Sequence, residues 1–272
     1  MAKLKFGAWI PTYAWSDDPG GGENVRRIAE SIRKCEEHGI DVWVIDHLLS
    51  APGLYGNAWL EPLSVLAFAA ALTSKVKLAT GILVLPVRHP VVLAKEISTL
   101  CHMSNNRYVF GVGPGWYARE HEVTGSRIEE RGKRTDEIIE AVTLLLTRPN
   151  ASYRGRFYQF TDVTIDPRPP KMPDIWVSGG SRIPDPHEHD VPVIAKTVMD
   201  RIVKAGNWLS RCSGTQEWVK RDWGQLQEHA RALGRDPGTL TFGHCNFTHL
   251  VDTTNEAKAL DESKAPFFRA MG

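Results

Sequence analysis

The sequence predicts an α/β fold, and specifically a (β/α)8 TIM barrel. Short apolar, β-branched runs alternate with longer segments of helical periodicity, which indicates a parallel sheet flanked by helices. The most informative run, Val76–Lys95, starts as an apolar strand, breaks at Pro86 and restarts at Pro90 as a helix with proline in its first position. A continuous apolar strand is typical of a sheet buried on both faces. At 272 residues the chain has the length of one such barrel, so a single domain over residues 1–272 is expected.

Seven strands are predicted from apolar runs bounded by turn residues. They cover Leu4–Ile10, Ile40–Asp46, the run from Val76 to Pro86, Arg107–Val112, Asp174–Ser178, Asn207–Leu209 and Leu240–Val251. This number favours a barrel over an open sheet, yet a complete TIM barrel has eight strands. We therefore expect a barrel that is incomplete at its carboxyl end. Either the chain is truncated after Gly272, or a dimer partner fills the gap, or an eighth strand is hidden in a segment that reads as loop.

The helices are predicted from apolar residues at helical spacing and from capping signals. Gly39 is a C-cap for the first helix, and Pro62 lies in the first turn of the second. The helices cover Glu23–His38, Glu61–Leu72, a segment from Pro90, Glu129–Thr147, Val191–Lys204, Thr215–Leu233 and a last one from about Asp252. Between them, the irregular segment Pro149–Pro173 contains a predicted hairpin around Arg154-Gly155.

Composition and charge exclude several classes of protein. The hydrophobic content of 42% is ordinary for a globular chain, and a net charge of +1 gives no reason to expect a nucleic-acid or membrane partner. The amino terminus runs straight into a strand without the pattern of a signal peptide. The cysteines lie too far apart to suggest a disulfide framework or a zinc site, which favours a reducing cytoplasm. They are Cys35, Cys101, Cys212 and Cys245.

Four groups of residues follow or interrupt predicted strands, at the end of a barrel where working residues lie. They are Asp46-His47, Gly81-Ile82, Gly113 to Trp116, and Gly179-Gly180-Ser181. The Gly-Gly-Ser turn offers backbone N–H groups and a hydroxyl that suit a phosphate, although glycine-rich turns after strands are common. Gly81 marks either a bulge near a ligand or a simple packing contact.

Each candidate side chain also has a structural interpretation. His47 either donates a hydrogen bond or moves a proton in a pocket, or it only holds a loop. Trp116 and Trp208 fit packing at the core or rim better than a cofactor platform. His187 and His189 are spaced to bind a metal, but a solvated acidic loop fits them better, so no metal site is predicted. No Ser-His-Asp arrangement, Walker motif or G-x-G-x-x-G pattern is visible.

Several segments together resemble the bacterial luciferase-like family of flavin- and deazaflavin-dependent oxidoreductases. The long block from Glu61 to Leu100 is the most specific part of this resemblance. The others, in the order of the family, are KFGAWIPT, VWVIDHL, RYVFGVGPGW, ERGKRTDEIIEAV, YRGRFYQF and IWVSGG. Two places depart from the family: Gly206-Asn207-Trp208 replaces the usual Asp-Gly-Trp, and the loop Arg182–Pro192 is unusual in length and acidity.

The resemblance implies a cofactor ring at the carboxyl end of the barrel, supported by a cis peptide between Gly81 and Ile82. It implies that His47 lines the reacting pocket with Glu120, an acidic residue beside it. It also implies that the cofactor phosphate lies at the turn of Gly179, Gly180 and Ser181. Gly113 stands where bacterial luciferase has a reactive cysteine, so the comparison does not favour light emission.

The function that the resemblance implies is a monooxygenase that uses dioxygen and reduced FMN, delivered by a separate reductase, on a small organic substrate. The alternative is an oxidoreductase that transfers hydride with coenzyme F420 and uses His47 or Glu120 as acid or base. A third hypothesis, from another class, is a non-catalytic barrel for binding or assembly. Relatives often pair through helices near the second and third strands, which implies a homodimer.

Overall fold

The structure is a computed structural model, and it describes residues 4–12, 22–50, 58–181, 194–211, 216–246 and 253–254. The chain divides into two units, Met1–Ile175 and Trp176–Gly272. The single barrel domain stays a prediction. No helix in the described ranges has the length and apolar character that a membrane span requires.

The first unit contains a parallel sheet whose strands follow one another in the order β1, β2, β3 and β5. A short strand, β4, also pairs with β5 in parallel. Every residue of β5 is buried, as the apolar sequence predicts for a strand covered on both faces. The strands are β1 (Gly7–Trp9), β2 (Asp41–Val44), β3 (Leu78–Thr80), β4 (Leu83–Val84) and β5 (Tyr108–Gly113).

Helices connect these strands, and their ends match the capping signals in the sequence. The Glu61 carboxylate accepts hydrogen bonds from two amides of the first turn of α2, and Pro62 needs no partner there. The imidazole of His89 accepts a hydrogen bond from the first turn of α3. The helices are α1 (Gly22–His38), α2 (Pro62–Leu72), α3 (Pro90–Met103), α4 (Ala118–Val123) and α5 (Arg131–Thr147), with 3-10 turns at Leu85–Val87 and Ile128–Glu130.

The predicted hairpin is present as β6 (Ala151–Arg154) and β7 (Gln159–Val163), which pair antiparallel. The Glu137 carboxylate on α5 accepts hydrogen bonds from three successive amides of the hairpin loop, Arg156, Phe157 and Tyr158. The Glu137 side chain therefore fastens the hairpin loop to α5, and the Tyr153 hydroxyl adds a hydrogen bond to Glu140 on the same helix.

The second unit continues the alternation of strand and helix. Its parallel strands are ordered β8, β9, β10, and the ring of Trp208 in β9 stacks on Trp223 and Phe242. Gly206 ends α6 in the left-handed conformation, at φ +88°, which glycine adopts readily. The elements are β8 (Asp174–Gly179), α6 (Lys196–Ala205), β9 (Asn207–Ser210), α7 (Gln216–Ala232), a 3-10 turn at Pro237–Thr239 and β10 (Thr241–Gly243).

The predicted order of strands and helices is confirmed as far as β10, but several boundaries are corrected. The strand predicted from Val76 to Pro86 is two strands, β3 and β4, separated by Gly81 and Ile82. The strand predicted over Leu240–Val251 ends at Gly243, because the next residues turn to the Ser210 hydroxyl instead of continuing the ladder.

Two further differences concern helices. Helix α6 begins at Lys196 instead of Val191, and α4 was not predicted, since six residues are too few to show a periodic pattern. The acidic loop with His187 and His189 and most of the predicted last helix lie outside the described residues.

The close approach of β3 and β5 predicts that Gly111→Ala strongly destabilises the chain. A Cβ atom at Gly111 would lie 1.9 Å from the carbonyl oxygen of Thr80, so the backbone would have to move. We expect a loss of roughly 3 kcal/mol of unfolding free energy, at the upper end for overpacking. Gly224→Ala is the matched control, because a Cβ atom there meets nothing within 4 Å and alanine favours a helix. Urea unfolding that gives equal stabilities for the two variants would contradict this close approach.

Candidate active site

The first unit brings its predicted site residues together at the carboxyl ends of three strands. Asp46 and His47 follow β2, Gly81 and Ile82 follow β3, and Gly113 ends β5. The chain after β5 enters α4, which carries Glu120 on its buried side.

His47 and Glu120 form a buried pair. Their closest atoms, His47 Nδ1 and Glu120 Oε1, are 3.2 Å apart, and the two side chains are only 8% and 2% exposed. The same oxygen accepts hydrogen bonds from the backbone N–H groups of Leu48, at 2.8 Å, and Leu49, at 3.2 Å. One carboxylate therefore holds both the imidazole and the loop after β2.

The environment of Glu120 keeps it ionised. Burial acts to raise the pKa of this carboxyl, but the hydrogen bonds from His47, Leu49 and Leu48, together with the positive charge of a protonated His47, outweigh burial and lower the pKa below its ordinary value. An ionised carboxylate can only accept, so Nδ1 of His47 carries the proton toward it. In the neutral imidazole Nε2 is then the nitrogen that can accept a proton.

Two indole rings flank His47. The ring of Trp59 is tilted against it at 4.5 Å between centroids, and Trp116 approaches edge-on at 5.9 Å. Trp116 is 59% exposed, so it lies at the rim of this site and not in the core. Trp208, by contrast, is fully buried in the second unit, as the packing interpretation predicts.

Asp46 ties the end of β2 to the residues after Gly81. Its buried carboxylate accepts hydrogen bonds from the Val84 amide, at 2.8 Å, and from the Arg88 guanidinium, at 3.2 Å, which also contacts Glu61. Burial raises the pKa of Asp46, and the positive charge of Arg88 opposes that shift. Sequence reasoning noted Asp46 only as the neighbour of His47 and missed Arg88.

The peptide bond between Gly81 and Ile82 is cis, which confirms what the resemblance implied. A Cβ atom at Gly81 would lie 2.8 Å from the indoles of both Trp43 and Trp9, so the glycine is also needed for packing. Ile82 covers Gly113: a Cβ atom at Gly113 would lie 2.8 Å from its Cδ1. Ile82 and Gly113 are therefore in contact, as a shared site requires.

In the second unit, the turn of Gly179, Gly180 and Ser181 already has an anionic partner. The Ser181 amide donates to Asp222 Oδ2 at 2.6 Å, and the Ser181 hydroxyl donates to Oδ1 of the same carboxylate. Asp222 lies on α7 and is 4% exposed. The sequence analysis did not identify Asp222 as a partner of this turn. The phosphate site at this turn stays a prediction.

The carboxyl ends of β9 and β10 carry another contact that the sequence did not suggest. The Ser210 hydroxyl lies 3.0 Å from His244 Nδ1 and accepts a hydrogen bond from the Cys245 amide. Within the described ranges, no cluster of three or more His, Cys, Asp or Glu residues is arranged to hold a metal ion.

Comparison with known proteins identifies the family. The family model described as luciferase-like monooxygenase matches residues 4–185, and the chain therefore belongs to the luciferase-like family. The predicted family is therefore confirmed, and its similar proteins include one named as F420-dependent and one named as FMNH(2)-dependent.

Two relatives represent these two kinds of chemistry. The chain is 31% identical over 177 residues to F420-dependent glucose-6-phosphate dehydrogenase of Amycolatopsis mediterranei, covering 63% of this chain and 50% of that protein. It is 24% identical over 273 residues to FMNH(2)-dependent dimethylsulfone monooxygenase of Pseudomonas putida, covering 94% of this chain and 68% of that protein. The chain thus spans only half the length of the first relative.

Solved structures confirm the luciferase-like fold. Monooxygenase RslO1 from Streptomyces bottropensis superposes with a TM-score of 0.77 at 24% identity, over 98% of this chain and 78% of that one. The oxygenating constituent of 3,6-diketocamphane monooxygenase from Pseudomonas putida superposes with a TM-score of 0.74 at 21% identity. The match covers 96% of this chain and 71% of that one. At these identities the likeness concerns the fold alone.

The hydrogen bonds to Glu120 predict a pH-dependent contribution to stability. A carboxyl whose pKa is lowered by folding stabilises the protein above its ordinary pKa of 4.5, and that stabilisation is lost as the pH falls through the folded value. Glu120→Gln should therefore lower the unfolding free energy by about 1–3 kcal/mol at pH 7, and by less below about pH 4.

Glu122→Gln is the control, because Glu122 lies on the same helix, is 69% exposed and forms an ion pair with the exposed Arg119. Its effect should stay within about 0.5 kcal/mol at each pH. Urea unfolding between pH 3.5 and 7 checks both variants. A Glu120→Gln difference that is the same at every pH would show that the charge of Glu120 contributes nothing.

Proposed function

We propose that this chain is a flavin-dependent monooxygenase that uses reduced FMN and dioxygen on a small organic substrate. The observation that carries the proposal is the buried His47–Glu120 pair, whose histidine follows strand β2 in a chain of this family. The FMNH2-dependent relative supports it further, because the match spans 94% of this chain. Its name makes dimethyl sulfone the first substrate to test.

We assign the residues of the first unit as follows. Gly81, Ile82 and Gly113 are our candidates to support the cofactor ring, because Ile82 follows Gly81 directly and its side chain covers Gly113. His47 holds or moves a proton at Nε2, and Glu120 orients its ring. Reduced FMN, when bound, would supply the electrons that activate dioxygen. The Gly179, Gly180 and Ser181 turn remains our candidate for the cofactor phosphate in a state in which Asp222 has left the Ser181 donors.

A second candidate function is hydride transfer with coenzyme F420. The higher identity to the F420-dependent relative, 31%, favours it, and a paired histidine and carboxylate suit the proton transfer that accompanies hydride transfer. A non-catalytic barrel is the third candidate, favoured by the closed turn at Ser181 and by Asn207 in place of the usual glycine.

The partners in this proposal are a small-molecule substrate, a separate reductase and a second copy of the chain, in the cytoplasm. Exposed apolar side chains on α2 and α3, namely Phe68, Val92 and Met103, support a homodimer through these helices. Nothing in the net charge of +1 favours nucleic acid.

A titration with both cofactors tests the proposal. We expect FMN to bind more tightly than coenzyme F420, as followed by quenching of their fluorescence. We also expect oxygen-dependent consumption of dimethyl sulfone only when a flavin reductase and NADH supply reduced FMN. Tighter binding of F420, with F420-dependent oxidation of glucose 6-phosphate, would replace the leading candidate by the second. Binding of neither cofactor would favour the non-catalytic barrel.

His47→Ala tests the role of the histidine. Loss of a general acid–base group should lower turnover by roughly 10²–10⁴-fold, and the melting temperature should also fall, because His47 is buried and pairs with Glu120. His38→Ala, at the exposed end of α1, is the matched control and should leave turnover unchanged. If His47→Ala keeps full turnover and only its melting temperature is lower, the histidine only holds the loop after β2.

A further inference from the structure

The turn at the end of β8 is an anion site that the chain fills with its own side chain. Two donors of Ser181, the amide and the hydroxyl, each meet one oxygen of the Asp222 carboxylate. This bidentate arrangement is how such a turn would bind a phosphate or carboxylate ligand. The donors, the turn and α7 all belong to the second unit.

The surrounding residues allow this close approach. A Cβ atom at Gly180 would lie 3.0 Å from Asp222 Oδ2, so a side chain there would push the carboxylate away. The Arg211 guanidinium donates to the carbonyl oxygen of Ser181 at 3.3 Å, which places a positive charge beside the turn. Asp222 itself is buried, so it does not reach these donors as a loose surface group.

A ligand phosphate and Asp222 cannot use the same two donors at once. Like charges within hydrogen-bonding distance repel, and a buried charge that loses its donors is strongly disfavoured. We infer that Asp222 competes with the ligand phosphate for Ser181, so that the turn accepts a phosphate only when the Asp222 carboxylate withdraws or is neutralised. The inference rests on the proposed function in one respect, because it takes the ligand phosphate to be that of a flavin cofactor.

The consequence is that the chain should discriminate little between flavins with and without a phosphate, which the glycine-rich turn alone would not suggest. Affinity for a flavin comes from its ring, and the phosphate adds little while Asp222 occupies the turn. FMN and riboflavin, which differ only in the phosphate, should then bind the wild-type chain within about threefold of each other, a difference smaller than one hydrogen bond provides.

The experiment compares the binding of oxidised FMN and riboflavin by fluorescence quenching. Asp222→Asn keeps the shape of the side chain but removes the charge. We expect this variant to bind FMN roughly tenfold more tightly, which is the effect of one charge-assisted hydrogen bond. Its affinity for riboflavin should stay unchanged. Asp200→Asn is the matched control, because Asp200 lies on α6 and its carboxylate bonds to Lys196 and His229. It should change neither affinity.

Two further measurements keep the inference testable if flavin binding or folding fails. Inorganic phosphate should raise the melting temperature of Asp222→Asn more than that of the wild type, whether or not any flavin binds. If Asp222→Asn does not fold, Ser181→Ala replaces it, and it should leave the ratio of FMN to riboflavin affinity unchanged.

The opposite results overturn the inference. If the wild type prefers FMN over riboflavin by more than tenfold and Asp222→Asn or Ser181→Ala removes that preference, then Asp222 positions the turn for phosphate instead of competing with it. Equal stabilisation of the wild type and Asp222→Asn by phosphate would also exclude competition. Failure of both flavins to bind, with the phosphate difference intact, would instead count against the proposed function.

Discussion

A single carboxylate oxygen organises the candidate active site, because Glu120 Oε1 accepts hydrogen bonds from His47, Leu48 and Leu49 together. These donors belong to the segment after β2, whereas Glu120 lies on the short helix after β5. The bonds therefore fix two strand-end segments relative to each other. They also keep Glu120 ionised despite its burial, which in turn fixes which imidazole nitrogen bears the proton.

Buried carboxylates serve the same purpose elsewhere in the chain. Asp46 holds the Val84 amide and the Arg88 guanidinium, and Asp222 holds both donors of Ser181. A buried charge is expensive unless its hydrogen bonds are satisfied, so each of these groups stabilises only the arrangement in which its donors are present. The strand ends in both units are consequently fixed by acidic side chains. These positions are also where ligands of an α/β fold bind.

The His47–Glu120 pair is compatible with both kinds of chemistry found among the relatives, because the redox step belongs to the cofactor in each case. In the function that we propose, the protein contributes the proton position, the surface for the ring and the exclusion of water. Trp59 and Trp116 beside His47 provide an apolar wall suited to that last role. The pair by itself therefore does not distinguish between FMN and F420.

The sequence by itself determined the alternation of strands and helices, the helix starts at Pro62 and Pro90, and the placement of His47 and Gly113 at strand ends. These features follow from local periodicity, capping and turn chemistry, which depend on neighbouring residues. The resemblance to the luciferase-like family added Glu120 and the cis bond after Gly81, neither of which has a local signal.

Only the tertiary structure decided which groups meet. His47 and Glu120 are 73 residues apart in the chain, and Ser181 and Asp222 are 41 apart. Contacts of that separation depend on the order of the strands and on the path of the connecting helices, which local pattern does not specify. The glycine-rich turn after β8 shows the limit most clearly: its sequence indicates an anion site, whereas the fold supplies the anion from α7.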